Sequence, residues 1–291
     1  MRKTVLTFIL AILSLGATAQ MGTDKKAAKY IDELKQRPLL VFNYGDYDGF
    51  EETIKKAIEE VWTLSPSVKY ISTDEWKALS KDKDEAKKYA YLHYTLTPLQ
   101  SNAPASSILI GLLENKMSVH YKAIPDIRDD NYNSVADFMV ALKNLQVDLE
   151  MGDNYKNLVR DQTKYYSQFL KDSLAHKTLL IDKNNVSKKL FKEMDKLYQY
   201  PYQFVDKSVI DDAIIDKQSD ILFLREIFIA QRPRTKTREF AGVETTRTSS
   251  NGYALFYLYK ASDLEIVGST GFSNGELDPR GIQMLLTLMN Y

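Results

Sequence analysis

HKTLLID (His176–Asp182) and GIQMLLTLMN (Gly281–Asn290) bracket the stretch whose reading decides the architecture. The first holds the short apolar run of a buried strand, and the second sets Ile282, Leu285, Leu286 and Met289 on one helical face. Between them the pattern predicts a helix carrying Leu190, Phe191, Met194 and Leu197, then a strand over Tyr202–Val205 behind Pro201. A short helix follows in KSVIDDAI (207–214), then a strand over Ile221–Ala230. Tyr253–Lys260 and Glu265–Ser269 form a hairpin around Ala261-Ser262-Asp263.

Upstream, the same order runs from RPLLVF (37–42) to ADFMVALKNLQ (136–146). Leu39–Phe42 reads as a strand. Phe50, Ile54, Ala57, Ile58 and Val61 form one helical face, and Val68–Ile71 is the next strand. Thr73 is placed to cap the short helix DEWKAL, and Tyr89–Thr95 alternates as a strand does. Pro98–Ser107 reads as a loop from its Pro, Ser and Asn content. Ile108–Leu113 and Met117–Ala123 make a hairpin, and Val135, Phe138, Met139, Leu142, Leu145 and Leu149 mark an amphipathic helix. The expected fold is therefore α/β (α+β), with two repeated units of β-α-β-α-β-hairpin-α order. Each unit is a small mixed sheet with helices mainly on one face. The first spans 21–150, the second 154–291, and they join near Glu150–Asn154.

Composition bounds the setting. Of 291 residues, 44% are apolar and 27% charged, which suits a folded protein with a substantial core. Arg2 and Lys3, the apolar run Val5–Leu15 and Ala17-Thr18-Ala19 have the form of an export signal cleaved before Gln20. Removing Arg2 and Lys3 from 39 basic residues leaves 37 against 39 acidic ones, a net charge of −2. That balance gives no reason to expect nucleic acid as a partner. The chain has no cysteine, which removes disulfides, thiolate metal sites and a lipidated Cys. No later apolar stretch reaches the twenty or so residues of a membrane span. The expectation is a periplasmic or secreted protein.

No catalytic or cofactor signature stands out, and neither a cofactor nor a metal is expected. His93, His120 and His176 are the only histidines, and none lies three or four residues from another. Asp46-Tyr47-Asp48-Gly49 resembles a calcium loop only locally, since Tyr44 and Lys55 occupy the first and twelfth positions. These acids, like Asp126, Asp129 and Asp130, suit turns that feed helix N-termini. No G-x-G-x-x-G or G-x-x-x-x-G-K follows a strand, and no G-x-S-x-G elbow is present.

Two features carry functional weight. Gln231–Asn251 is a long polar segment in which Arg232, Arg234, Lys236, Arg238 and Arg247 outnumber Glu239 and Glu244. Its composition favours a structureless connector. If it binds, an acidic protein face or an anionic envelope polymer is the natural target. The second feature is tyrosine, 19 in all, with Tyr198, Tyr200 and Tyr202 clustered around Pro201. Such rings suit partner or glycan surfaces, and they equally suit strands and cores, the reading preferred here.

The hairpin YALFYLYKASDLEIVGSTGF (253–272) and the upstream FVDKSVIDDAIIDKQSDILFL (204–224) resemble the TolB amino-terminal, CsgG and penicillin-binding-protein-activator group of envelope proteins. Leu255, Tyr257 and Tyr259 stand in the first strand, Glu265–Ser269 in the second, and Ser219-Asp220 at the strand entry. The chain departs from that group in carrying Ser262-Asp263 where the turn would hold Thr-Gly. The resemblance implies a non-enzymatic periplasmic module that docks onto another envelope protein. Competing expectations are an exported hydrolase whose site forms only in three dimensions and a carbohydrate-binding protein with a tyrosine surface.

Overall fold

The computed structural model describes residues 30–42, 49–100, 103–115, 117–123, 134–151, 166–230, 234–240, 243–249, 252–273 and 275–288. The expected signal over 1–19, the acids Asp46, Asp48, Asp126, Asp129 and Asp130, and Arg232 lie outside the described residues. Most of the junction after Glu150 does too.

The first sheet takes β1 (Leu39–Phe42), β2 (Val68–Tyr70), β3 (Ala90–Gln100), β4 (Ala103–Leu112) and β5 (Met117–Ala123) in the order β2-β1-β3-β4-β5. The second takes β6 (Thr178–Asp182), β7 (Tyr202–Val205), β8 (Ile221–Ala230), β11 (Gly252–Lys260) and β12 (Ile266–Ser273) in the order β7-β6-β8-β11-β12. Connection for connection the two orders are the same. In each sheet the first three strands run parallel and the last two antiparallel. Backbone pairing repeats in detail. Leu39 N donates to Ser67 O as Leu179 N does to Pro201 O, and Leu113 N donates to Tyr89 O as Ala261 N does to Ile221 O.

The helices repeat as well. α1 (Ile31–Gln36), α2 (Phe50–Val61), α3 (Thr73–Leu79), α4 (Lys83–Ala86) and α5 (Val135–Met151) belong to the first unit. A helical stretch over 166–173, α6 (Lys188–Leu197), α7 (Lys207–Ile215) and α8 (Pro279–Leu288) belong to the second. In the first unit α2 and α5 bury Ile54, Ile58, Leu142 and Leu145 against Leu39, Val41 and Leu92. The short α3 and α4 cover part of the opposite face, over Leu40, Phe42 and Tyr91. In the second unit α6 and α8 take the first role, with Leu190, Met194, Ile282 and Leu285.

α5 departs from the amphipathic expectation. Phe138, Met139, Val140, Ala141, Leu142 and Leu145 are all buried, as are Asp137, Asn144 and Gln146, so most of the helix is covered on more than one side. The reason is its position. One side packs on the first sheet and α2, and the other faces α7 together with Leu180, Phe223, Leu255, Tyr257 and Tyr259 of the second sheet. One hydrophobic core therefore runs through both units.

Three local expectations are corrected. Ser72, not Thr73, caps α3. Its hydroxyl accepts from Glu75 N while Glu75 accepts from Ser72 N, a reciprocal capping box. The described parts of the expected loop Pro98–Ser107 are strand: Pro98–Gln100 continues β3 and Ala103–Ser107 opens β4, with Pro98 directly opposite Pro104 beside a register shift. Two residues without N–H groups are tolerated there because the ladder is already interrupted. Gln231–Asn251 is not a structureless connector, for it contains β9 (Arg234–Phe240) and β10 (Val243–Ser249).

Candidate docking surface

β9 and β10 pair antiparallel, from Val243 opposite Phe240 to Ser249 opposite Arg234. They form a two-stranded sheet of their own, inserted between β8 and β11 of the second unit. Each strand has seven residues, about 23 Å at roughly 3.3 Å per residue. Thr at alternate positions favours the extended backbone, and Ala241-Gly242 lies between the strands.

Residues directly opposite in an antiparallel pair share a face, and faces alternate along each strand. The register therefore assigns Arg234, Lys236, Arg238 and Arg247 to one face, together with Phe240 and Val243. Thr235, Thr237, Thr246 and Thr248 take the other face, where Glu239 stands opposite Glu244. Four of the five basic residues singled out from sequence are thus gathered on one side, with no acid among them. The corresponding hairpin of the first unit, Thr95–Ser107, contains no charged residue.

A second cluster lies at the joint between the units. Ser134 and Asp137 cap the start of α5 reciprocally, through Ser134 N to Asp137 Oδ2 at 2.9 Å and Asp137 N to Ser134 Oγ at 3.2 Å. From the second unit, Lys207 Nζ reaches Asp137 Oδ2 and Asp211 Oδ2, each at 2.9 Å. Arg225 pairs with Asp211 and approaches Asp137 Oδ1 at 3.5 Å. Burial would raise the Asp137 carboxyl, but Arg225 and Lys207 outweigh it and hold it below the ordinary carboxylate range. Asn144 Nδ2 also donates across the joint to Tyr259 Oη at 3.3 Å. Asp137, Lys207, Asp211 and Arg225 compensate one another in charge, while Asp137 Oδ1 and Arg225 Nε are buried without a hydrogen-bond partner among the described residues. They lock the joint, and sequence alone gives no way to pair residues so far apart.

By the shared register, Phe42 and His93 stand where Asp182 and Arg225 stand in the second sheet. The first unit thus has an aromatic stack where the second has charge. Phe42 lies 4.8 Å from Trp76 and 5.2 Å from His93, ring centre to ring centre. Burial lowers the His93 pKa, against a contact from Nδ1 to Tyr94 O. His120 cannot join it. His93 is aligned with Leu109 and Tyr121, whereas His120 is aligned with Ile110 and Leu92, so the two histidines sit on opposite faces. His176 is exposed in the turn before β6. Among the described residues no three His, Asp or Glu side chains gather as metal ligands.

A cavity of about 200 Å³ opens at the carboxyl ends of β1 and β2, lined by Phe42, Glu51, Ile54, Tyr70, Ser72 and Thr73. Open α/β sheets bind ligands at such edges. This one is smaller than the roughly 300–1,000 Å³ of small-molecule sites, and its Ser72 hydroxyl is engaged by Glu75. The tyrosine cluster is structural at its centre. Tyr198 is buried and packs edge-on to Tyr200 and Tyr202 at 5.4 and 6.0 Å. Among the described residues no helix is long and apolar enough to cross a membrane.

No family model, no curated protein and no solved structure matches the chain.

Proposed function

We propose that this chain is an exported, non-catalytic docking module of the cell envelope, built as a tandem repeat and acting through protein–protein contact. The observation that carries the reading is the β9–β10 ribbon, which gathers Arg234, Lys236, Arg238 and Arg247 on one face. A charged face of one sign selects an acidic partner and speeds encounter with it. The identical strand orders support descent from a duplicated unit, in which one copy gained the ribbon and the other kept an uncharged hairpin. The buried joint supports a single body made of the two five-stranded sheets, from which the ribbon extends between β8 and β11. Export rests on Arg2, Lys3, Val5–Leu15 and Ala17-Thr18-Ala19.

The test is capture from crosslinked native envelopes, comparing the mature chain with one lacking residues 232–250. The deletion leaves Gln231-Asn251 to close the neck where Ala230 pairs with Gly252. One dominant protein, present with the full chain and lost with the shortened one, supports the reading. Equal capture by both contradicts the site, and reproducible substrate turnover by the purified chain contradicts the function.

A further inference from the structure

The ribbon is a separate two-stranded sheet, so each of its strands keeps one edge that pairs with no described strand. Two-stranded ribbons are marginal alone, and open edges are templates for a further strand. The two edges of this ribbon are not equivalent. β9 sets three cations, Arg234, Lys236 and Arg238, on one face at alternate positions, whereas β10 contributes Arg247 alone. Alternate residues of a strand recur about every 7 Å.

We propose that the outer edge of β9 accepts an extended acidic segment of the partner protein as a third strand, with carboxylates at alternate positions. This rests on the docking reading and names the chemistry of its partner. An added strand lies about 4.8 Å away, which brings its alternate residues within about 5.5 Å of Arg234, Lys236 and Arg238 on the shared face. Arg at two of the three positions suits carboxylates, whose two oxygens match the guanidinium fork. The opposite face repels acids through the Glu239–Glu244 pair, so the charge pattern also selects which face the partner's carboxylates take. Backbone pairing supplies affinity and the alternation supplies register. An anionic lipid surface would use the cations but leave the edge unpaired.

Two peptides of the same composition test this against the full chain. One alternates Glu and Thr, and the other carries the same Glu and Thr residues as two blocks. At physiological ionic strength the alternating peptide should bind about tenfold tighter than the blocked one. The triple variant R234S/K236S/R238S should lose that preference while keeping the unfolding midpoint of the unaltered chain, and Arg247→Ser should lose less of it. Methylating alternate backbone nitrogens on one edge of the alternating peptide should abolish binding with its charge unchanged. Equal affinity for the two peptides would overturn strand addition and leave charge alone. Binding to phosphatidylglycerol vesicles without binding to the alternating peptide would overturn it in favour of a lipid surface. If removal of 232–250 still abolishes partner capture while the peptides bind alike, the docking reading stands and strand addition falls.

Discussion

Asp137, in the first turn of α5, and Arg225, midway along β8, stand 3.5 Å apart across the joint between the two units. Both are almost wholly buried, at 0% and 5% exposure. A carboxylate and a guanidinium removed from water to this extent must each be compensated, and Lys207 and Asp211 complete a set of two cations and two anions. Asp137→Ala leaves Arg225 facing a neutral wall on that side and should lower unfolding stability by about 3–5 kcal/mol. Asp137→Leu combined with Arg225→Met should cost much less than either change alone. Denaturant titrations of the two single variants and the double variant measure this.

Acid should weaken the fold in two stages. The folded-state pKa of His93 lies below its ordinary value because burial disfavours the charged ring. The unfolded chain then binds the extra proton, so stability falls as pH drops below about 6.5. Asp137 is also depressed in the folded state, so its contribution is complete above about pH 4 and is lost as pH falls further. His93→Phe should flatten the first stage and leave the second. Unfolding midpoints measured from pH 8 to pH 3 read both.

Tyr198 Oη is buried and finds no hydrogen-bond partner among the described residues, and burial raises its pKa. An unpaired buried hydroxyl costs about 1–3 kcal/mol. Tyr198→Phe keeps the ring against Tyr200 and Tyr202 and removes the oxygen. It should raise the thermal midpoint, and a lowered midpoint would show that the hydroxyl is satisfied.

Gly281 lets α8 lie close on β12. A Cβ at this position would meet Leu277 Cδ1 at 3.0 Å and Thr270 Cβ at 3.3 Å. Gly281→Leu should therefore destabilise by about 1–3 kcal/mol through overpacking, although leucine is the better helix former. Comparison with an exposed helix position such as Arg280→Leu separates packing from propensity.

The central strands β1 and β6 were legible because they are buried on both faces and read as short apolar runs, Leu39–Phe42 and Leu179–Ile181. The two-sided burial of α5 was present in its sequence as well, since Val135–Leu142 is apolar at seven of eight positions. That run belongs to a helix between two layers, and the period of its larger residues hid it. The ribbon was missed for a different reason. Strands betray themselves by alternating apolar residues, whereas Arg-Thr-Lys-Thr-Arg alternates charge with Thr. The period of two and the Ala241-Gly242 pair between the two runs were there to be read. The Asp137, Lys207 and Arg225 cluster had no such signal, because its members meet only when α5 enters the second unit.

The most direct test of docking through the basic face is charge reversal in place. Arg234, Lys236, Arg238 and Arg247 are changed together to Glu in the full chain, and capture from crosslinked native envelopes is compared with the unaltered protein. A control chain carries four Glu substitutions in the uncharged hairpin Thr95–Ser107. The partner should be lost from the reversed ribbon and retained by the control, with both chains folded by circular dichroism. Full capture by the reversed ribbon would contradict it.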